Sequence, residues 1–264
     1  MKRLVTAIII FLLSFEVFAM YEPSDSARFS LLVCSPGNVI YSTFGHAALR
    51  LKDEPQDVDI VFDYGVFSFD DLPRFIRNFI IGEMYYLLDA RTFHMTTWQY
   101  QYEGRGIIEY KLNLSPEERK KISDFLIWNM QPENQAYLYN FFEDNCSTRL
   151  ATILNSQANN CKLNVNTFEP KTWRELIIDY AGEKSWISYG IHLGLGYPAD
   201  TTMNGSQMLF IPDYLGYAVQ NTMSNAGKLS NDGETILEAT TMVGVLMTIY
   251  FSILGSSVST LINS

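Results

Sequence analysis

The sequence is poor in charge, and poorest in positive charge. Only 18% of its 264 residues are charged, and 19 Lys and Arg stand against 29 Asp and Glu, which gives a formal net charge of -10. A chain this acidic lacks the positive surface that binds a phosphate backbone, so we expect no nucleic-acid partner. Disorder is excluded as well, because hydrophobic residues make up 47% of the chain and disordered segments are depleted in them.

Cysteine and histidine are also scarce, with 3 of each. The cysteines, Cys34, Cys146 and Cys161, include no C-x-x-C pair, and the histidines are scattered. This spacing fits no zinc site, so we predict no metal and no other cofactor. One pair of cysteines could form a disulfide, which would leave one free thiol.

An apolar segment opens the sequence. Two basic residues precede an uncharged run that ends at Glu16, and Val17 and Ala19 place small side chains at the -3 and -1 positions of a cleavage site. This pattern predicts a secretory signal peptide over residues 1–19 and therefore an exported protein. An uncleaved anchor is the alternative, but the run is shorter than the ~20 residues that a spanning helix needs.

A second apolar segment closes the sequence. No residue from Ala239 to Ser264 is charged, and a run of that length can span a bilayer. We therefore divide the chain into an exported domain over residues 20–235 and a membrane-associated segment over residues 236–264, which we expect to form a transmembrane helix. A buried helix is the alternative, favoured by the Ser/Thr-rich end of the segment.

The residues between these ends predict an α+β fold with an antiparallel sheet. A short, mostly apolar run predicts a strand at Phe29–Val33, and alternating side chains predict strands at Ala47–Leu51, Val58–Phe67 and Ile108–Leu114. Helices are predicted after the capping box of Ser115 and Glu118, from Cys146 onward, and over Asp71–Ile81. The strands do not alternate regularly with helices, so α+β is favoured over α/β.

Two short stretches carry residues that suggest chemistry. His46 follows Gly45 where a turn enters a strand, and Cys146 follows the capping residue Asn145 in the first turn of a helix. A helix N-terminus favours the thiolate and can hold an oxyanion, and a nearby His can accept and return the thiol proton. A structural histidine and a buried, inert cysteine are the alternatives.

Further candidates would complete such a site. Asp63 lies on the next strand, on the face opposite Phe62, and could orient the histidine; an ordinary carboxylate on the polar face is the alternative. Candidates for positioning the substrate or its oxyanion are Asn145, Tyr41, Arg50 and Arg105, with surface solvation as the alternative for the two arginines. An aromatic stretch could line an acyl groove or lie at a membrane interface, although core packing is the alternative for most of its members. These aromatic residues are Tyr85, Tyr86, Phe93, Trp98, Tyr100 and Tyr102.

The order of a histidine on a strand before a cysteine at a helix start is similar to circularly permuted papain-like enzymes such as lecithin:retinol acyltransferase. More closely, the sequence resembles the periplasmic domain of Lnb-type bacterial lipoprotein N-acyltransferases, over roughly Phe29 to Leu215. The segments that carry the resemblance are Tyr41–His46, Phe62–Phe67, Gly104-Arg105, Leu112–Leu114, Asn145–Arg149 and Gly190–Asp200.

This resemblance implies a circularly permuted papain-like (NlpC-like) domain that acts as an exported thiol acyltransferase. Cys146 would be the nucleophile and His46 the base. Its partners would be a lipid acyl donor, a lipoprotein acceptor and the inner membrane, on the periplasmic side. An exported cysteine peptidase or amidase acting on cell-wall peptides is the second hypothesis. A non-catalytic envelope protein, with Cys146 in a disulfide with Cys34 or Cys161, is the third.

Overall fold

The computed structural model describes residues 21–67, 77–78, 83–158, 162–182, 188–190, 196–224 and 227–240. The predicted signal peptide, Cys161 and the uncharged segment from residue 241 onward lie outside these ranges, as does the predicted helix over 71–81 apart from residues 77–78. Within the described ranges, no helix has the length and apolar character needed to cross a membrane. The domain boundaries therefore stay predictions.

The described chain forms an antiparallel sheet with helices on its two faces. The strands are β1 (Arg28–Cys34), β2 (His46–Asp53), β3 (Val58–Val66), β4 (Tyr85–Thr92), β5 (Ile107–Lys111), β6 (Ala136–Leu138), β7 (Met223–Ser224), β8 (Gly227–Lys228) and β9 (Glu234–Leu237). The helices are α1 (Phe93–Tyr102), α2 (Pro116–Asn129), α3 (Cys146–Gln157), α4 (Trp173–Ala181) and α5 (Pro212–Gln220). The main sheet has the order β6-β4-β3-β2-β1-β5-β9, with antiparallel neighbours, and β7 and β8 form a separate hairpin. The predicted α+β class and antiparallel sheet are confirmed.

The alternating sequence pattern places two different sets of side chains on the two faces of the sheet. One face carries the larger core, in which Leu31, Leu49 and Phe62 pack with apolar residues of α2, α3 and α5. The other face carries a smaller cluster, in which Leu32 and Ala48 meet residues that include Tyr100 of α1. Helix α1 and helix α2 therefore lie on opposite faces of the sheet.

Local signals place most elements near their observed bounds. Ser115 and Glu118 form the predicted capping box at the start of α2, with distances of 3.3 and 2.7 Å between backbone nitrogen and side-chain oxygen. Strand β5 is shorter than predicted because the backbone changes partner after Leu112: the Leu112 N–H still donates to the Phe29 carbonyl of β1, but the Asn113 N–H donates to the Leu229 carbonyl.

Strand β4 and helix α1 are not predicted from the sequence. The β4 sequence YYLLDART does not alternate cleanly between apolar and polar residues, and α1 has no single apolar stripe. Both elements are specified by their contacts with β3. Their position matters because they carry residues of the site described next.

Candidate active site

A tight turn delivers His46 to the start of β2. Gly45 has a φ of 76° in this turn, and a Cβ there would lie 2.8 Å from the Cys34 carbonyl oxygen, so both the conformation and the space require glycine. The Gly45 N–H donates to the Ser42 carbonyl at 3.1 Å. His46 then begins the strand, opposite Cys34 of β1.

The capping residue Asn145 sets the position of Cys146 as the first residue of α3. The Asn145 side-chain oxygen accepts from Thr148 N–H at 2.9 Å, and the Thr148 hydroxyl accepts from Asn145 N–H at 2.8 Å. The Asn145 amide nitrogen donates to the Phe141 and Phe210 carbonyls, both at 2.8 Å. Both amide hydrogens are therefore used, so Asn145 positions the helix start and has no donor left for a substrate oxyanion.

The two stretches meet at the Cys146 thiol and the His46 imidazole, which are hydrogen-bonded to each other. Burial by itself raises the pKa of Cys146, but the charge and hydrogen bond of His46 and the Ala47 N–H outweigh it, and the net pKa is lowered. Burial likewise opposes the charged imidazole, but Asp63 and Cys146 raise the pKa of His46 well above its usual value. The pair therefore favours the thiolate–imidazolium form.

Asp63 contacts the far side of the same imidazole. Its Oδ1 lies 2.5 Å from His46 Nε2, which leaves Nδ1 for the thiol. Asp63 is 4% exposed and lies on the face of β3 opposite the core residue Phe62. Burial would raise the pKa of Asp63, but the charges and hydrogen bonds of His46 and Arg91 lower it. A buried carboxylate with this partner is held ionised.

Arg91 is the residue that sequence reasoning missed. It forms an ion pair through Nη2 with Asp63 Oδ2, and its Nη1 donates to Gln99 Oε1 at 2.5 Å. Gln99 in turn donates to Glu103 at 2.8 Å. Arg91 lies on β4, which the sequence pattern did not predict. The one indication in the sequence was Asp63 itself, because a buried carboxylate requires a positively charged partner.

Tyr41 and Arg105 both line the cavity that contains this site. Tyr41 is 70% exposed, and Arg105 is only 6% exposed. Arg105 donates through Nε to the Ser35 carbonyl at 2.8 Å and through Nη1 to Glu103 at 3.0 Å. Its buried Nη2 has no hydrogen-bond partner within the described part of the chain, and the guanidinium lies over the Tyr100 ring at 4.6 Å from the ring centroid.

Arg50 is not brought to the site. Its guanidinium forms a two-pronged ion pair with Asp59, both distances being 2.8 Å, and donates to Glu109 at 3.0 Å. The same group stacks over the Phe93 ring at 3.4 Å. Arg50 lies four positions along β2 from His46, about 13 Å at a strand rise of ~3.3 Å per residue. Its donors are occupied, so the geometry does not support the predicted oxyanion role.

The cavity has a volume of about 760 Å³, within the range of small-molecule sites. His46, Asp63 and Cys146 open onto it, and most of its remaining wall is apolar or aromatic. The aromatic lining residues are Tyr41, Phe44, Tyr64, Phe67, Tyr86, Tyr100, Tyr139, Phe141, Phe142 and Phe210. Of the aromatic stretch considered above, only Tyr86 and Tyr100 line the cavity; Tyr85, Trp98 and Tyr102 are exposed, and Phe93 packs beneath Arg50.

The second described thiol has the opposite environment. Cys34 is fully buried, and burial raises its pKa to about 11. Cys34 and Cys146 are both free thiols. In the described part of the chain, no group of three or more His, Cys, Asp or Glu side chains is arranged to hold a metal ion.

Comparison with known proteins gives one finding. The family model described as "Lnb N-terminal periplasmic domain" matches residues 15–179, more than half of the chain. No curated protein and no solved structure matches the chain. The match includes the turn before His46, strand β3, strand β4 with Arg91, and the start of α3. The family name describes a periplasmic domain, in agreement with the predicted export to the cell envelope. The chain therefore belongs to the Lnb N-terminal periplasmic domain family.

Proposed function

We propose that the protein is a thiol acyltransferase. It would transfer a fatty acyl chain from a glycerolipid ester, through a thioester on Cys146, to the N-terminal amine of a lipoprotein. The observation that carries the proposal is the hydrogen-bonded series Cys146–His46–Asp63 on the wall of an aromatic cavity. The circularly permuted papain-like fold assignment and the location at the inner membrane belong to the same proposal.

In the first step the Cys146 thiolate attacks the ester carbonyl carbon. The first N–H groups of a helix have no acceptor within the helix. Those at the start of α3, apart from the Thr148 N–H that the Asn145 side chain already accepts, can stabilise the oxyanion that forms. The His46 imidazolium then gives its proton to the departing glycerol oxygen. The products of this step are the Cys146 thioester, a free hydroxyl on the donor and a neutral imidazole.

In the second step the lipoprotein's N-terminal amine attacks the thioester carbonyl. Neutral His46 accepts the proton that the amine loses, and the Cys146 sulfur leaves as the thiolate. The acyl chain is now held in an amide bond, and the thiolate–imidazolium pair is restored. The aromatic wall of the cavity disfavours water at the thioester and so favours attack by the amine over hydrolysis.

Asp63 and Arg91 act on this chemistry through His46. Asp63 fixes the orientation of the ring through the contact of its Oδ1 with Nε2, which leaves Nδ1 as the ring nitrogen available to the thiol, and it stabilises the imidazolium as carboxylates do in catalytic triads. Arg91 balances the buried carboxylate from its other oxygen. Asp63 is therefore a positioning residue in the mechanism, and Arg91 supports Asp63.

Mass spectrometry of lipoprotein N-termini tests the proposal. Cells that lack the protein are complemented with the wild type, with Cys146→Ala or with Cys34→Ala. We expect N-acylated termini with the wild type and with Cys34→Ala, and free amino termini with Cys146→Ala. Equal N-acylation with Cys146→Ala and with the wild type would show that the thiol does not carry the acyl group.

Trapping of the intermediate separates acyl transfer from the peptidase or amidase alternative. The purified full chain is incubated with a diacylglyceryl peptide or with a cell-wall peptide, and the Cys146 peptide is then analysed. We expect a fatty acyl adduct that neutral hydroxylamine releases. Cleavage of the cell-wall peptide without any fatty acyl adduct would favour the alternative.

A further inference from the structure

Helix α1 exposes an uncharged face to solvent. Its sequence, FHMTTWQYQY, contains no Asp, Glu, Lys or Arg, although the whole chain carries a net charge of -10. Met95, Trp98 and Tyr102 share one face at the spacing i, i+3, i+7 and are 59%, 64% and 68% exposed. The Trp98 and Tyr102 rings stack with their centroids 5.9 Å apart. We call these three residues the α1 outer face.

Other residues of the same helix line the active-site cavity. Gln99 and Tyr100 line the cavity, and so do Glu103 and Arg105, which follow directly after the helix. Tyr100 is 5% exposed and belongs to the buried cluster between α1 and the sheet. One helix therefore separates the cavity from the α1 outer face by no more than its own width, about 10 Å with side chains.

The uncharged C-terminal segment begins close to the end of this helix. Strand β9 pairs Leu237 with Ile107, and the Thr240 N–H then donates to the Gly104 carbonyl at 2.9 Å. Gly104 lies two residues after the end of α1. From residue 241 to residue 264 the sequence continues with no charged residue. The α1 outer face, the cavity wall and the start of this segment are thus neighbours.

We infer that the α1 outer face lies in the headgroup region of a lipid bilayer. Trp and Tyr are the residues that favour this region, because their rings are apolar and their N–H and O–H groups remain hydrated. A face without charge also avoids the repulsion that an acidic protein meets at a membrane surface. The uncharged sequence after Thr240, which is predicted to associate with a membrane, begins beside this face. The inference rests on the proposed function, since it supplies a lipid substrate to the cavity.

This placement gives the acyl donor a direct route to the thiol. The cavity would open beside the bilayer surface, so a glycerolipid ester could reach Cys146 with its chains remaining among apolar groups. The positive charge of Arg105, which lines the cavity, would then attract the polar part of the same lipid. The aromatic wall beyond it would hold the acyl chain.

Quenching of tryptophan fluorescence by brominated lipid tests the inference. The full chain is reconstituted in vesicles of dioleoylphosphatidylcholine, with and without a phosphatidylcholine brominated on its acyl chains. Trp98→Phe is compared with Trp128→Phe, which alters a tryptophan of similar exposure (55%) on α2, on the other face of the sheet. We expect bromolipid to quench the wild type and Trp128→Phe, and the quenched component to be lost in Trp98→Phe.

The other outcomes would overturn the inference. Equal quenching in Trp98→Phe and the wild type would place the bilayer contact elsewhere. A Trp98 that iodide reaches from the aqueous phase and bromolipid does not would face water. A Trp98 that neither quencher reaches would be covered by protein, either residues 241–264 or a second copy of the chain. Preserved alkylation of Cys146 verifies the fold of each variant.

The measurement does not depend on catalysis. The Cys146→Ala protein should show the same quenching as the wild type, because the α1 outer face is unchanged. Loss of quenching with intact acyl transfer would overturn the membrane placement alone. Quenching without acyl transfer would retain the placement and overturn the proposed function.

Discussion

At the scale of single residues, two thiols in one chain are given opposite reactivity by their surroundings. Cys34 is enclosed on all sides, and burial dominates the pKa of its thiol. Cys146 is only partly buried and lines the cavity, and it faces an imidazolium and a backbone N–H that stabilise its anion. The residue type is the same, so the difference in pKa arises entirely from neighbours.

Alkylation should therefore distinguish the two thiols. The pKa of Cys34 is about 11 and that of Cys146 is below its usual 9.0, a difference that gives Cys146 at least ~100-fold more thiolate at neutral pH. Because nucleophilicity falls with pKa, we expect iodoacetamide to modify Cys146 about tenfold faster or more. Peptide mapping at pH 6.5 checks this rate ratio. Equal rates at the two sites would contradict the thiolate assignment.

Asp63→Asn should lower the pKa of His46. The Asp63 carboxylate favours the imidazolium, so the charged ring persists to higher pH in the wild type. Removing that charge lowers the pKa of His46, and the upper end of the pH range of the thiolate–imidazolium pair falls with it. The imidazole proton resonances report this pKa, and with 3 histidines in the chain they can be assigned by substitution.

A matched substitution on the same strand provides the control. Asp59, which also lies on β3, is ion-paired with Arg50, away from the imidazole. Asp59→Asn should therefore leave the pKa of His46 unchanged. A pKa of His46 that is unchanged or raised in Asp63→Asn would contradict the pairing of Asp63 with this ring.

At the scale of elements, the site depends on where strand β2 and helix α3 begin, and short-range backbone interactions determine both positions. A glycine turn begins β2, and an asparagine cap begins α3. Each start fixes one reacting side chain to within a residue, because the element cannot begin one position earlier or later without losing these contacts. The histidine and the cysteine are thus held by backbone geometry.

Gly45→Ala should destabilise the protein and misplace His46. The new Cβ would meet the Cys34 carbonyl at 2.8 Å in addition to the strain of a φ of 76°. Gly182→Ala is the matched control, since its φ is 79° and a Cβ there would meet no heavy atom of the described residues within 4 Å. We expect Gly182→Ala to lose about 1 kcal/mol of unfolding free energy from backbone strain, and Gly45→Ala to lose at least ~1 kcal/mol more from the clash.

Urea unfolding measures both losses, and the alkylation rate of Cys146 reports the position of His46. We expect that rate to fall in Gly45→Ala only. Equal free energies of unfolding for the two variants would mean that the contact of a Cβ at position 45 with the Cys34 carbonyl oxygen does not affect stability.

At the scale of the whole molecule, helix α1 and the start of the C-terminal segment together form a region without charged residues. The chain is strongly acidic, yet α1 has no charged residue and the sequence after Glu238 has none. These two uncharged regions adjoin at the hydrogen bond between Thr240 and Gly104. Association with a bilayer at this side should therefore be apolar and independent of positive charge.

The lipid dependence of vesicle association should reflect this distribution of charge. We expect the full chain to float with phosphatidylcholine vesicles, and replacing part of that lipid with anionic phosphatidylglycerol should not strengthen the association. High salt should not release the protein, because salt screens charge pairs and leaves apolar contacts intact. Stronger association with anionic lipid, together with release by salt, would indicate a basic surface instead.

Much of the fold follows from local sequence patterns. Alternation identified β2 and β3 because each side of these strands meets a different environment, and a short, mostly apolar run identified β1. Capping residues identified α2 and α3 because they satisfy free backbone groups nearby. The same patterns placed Asp63 on the face opposite Phe62. Each of these features depends on residues within one element, which is why one sequence is sufficient to find them.

The sequence by itself determined that His46 begins a strand and that Cys146 begins a helix, because a glycine turn and an asparagine cap are local structures. Only the tertiary structure decided that Arg91 holds Asp63 while Arg50 is occupied by Asp59 and Glu109. The sequence around an arginine does not show which carboxylate it will pair with. Long-range strand pairing sets which carboxylate it meets, and that pairing depends on the packing of the whole sheet.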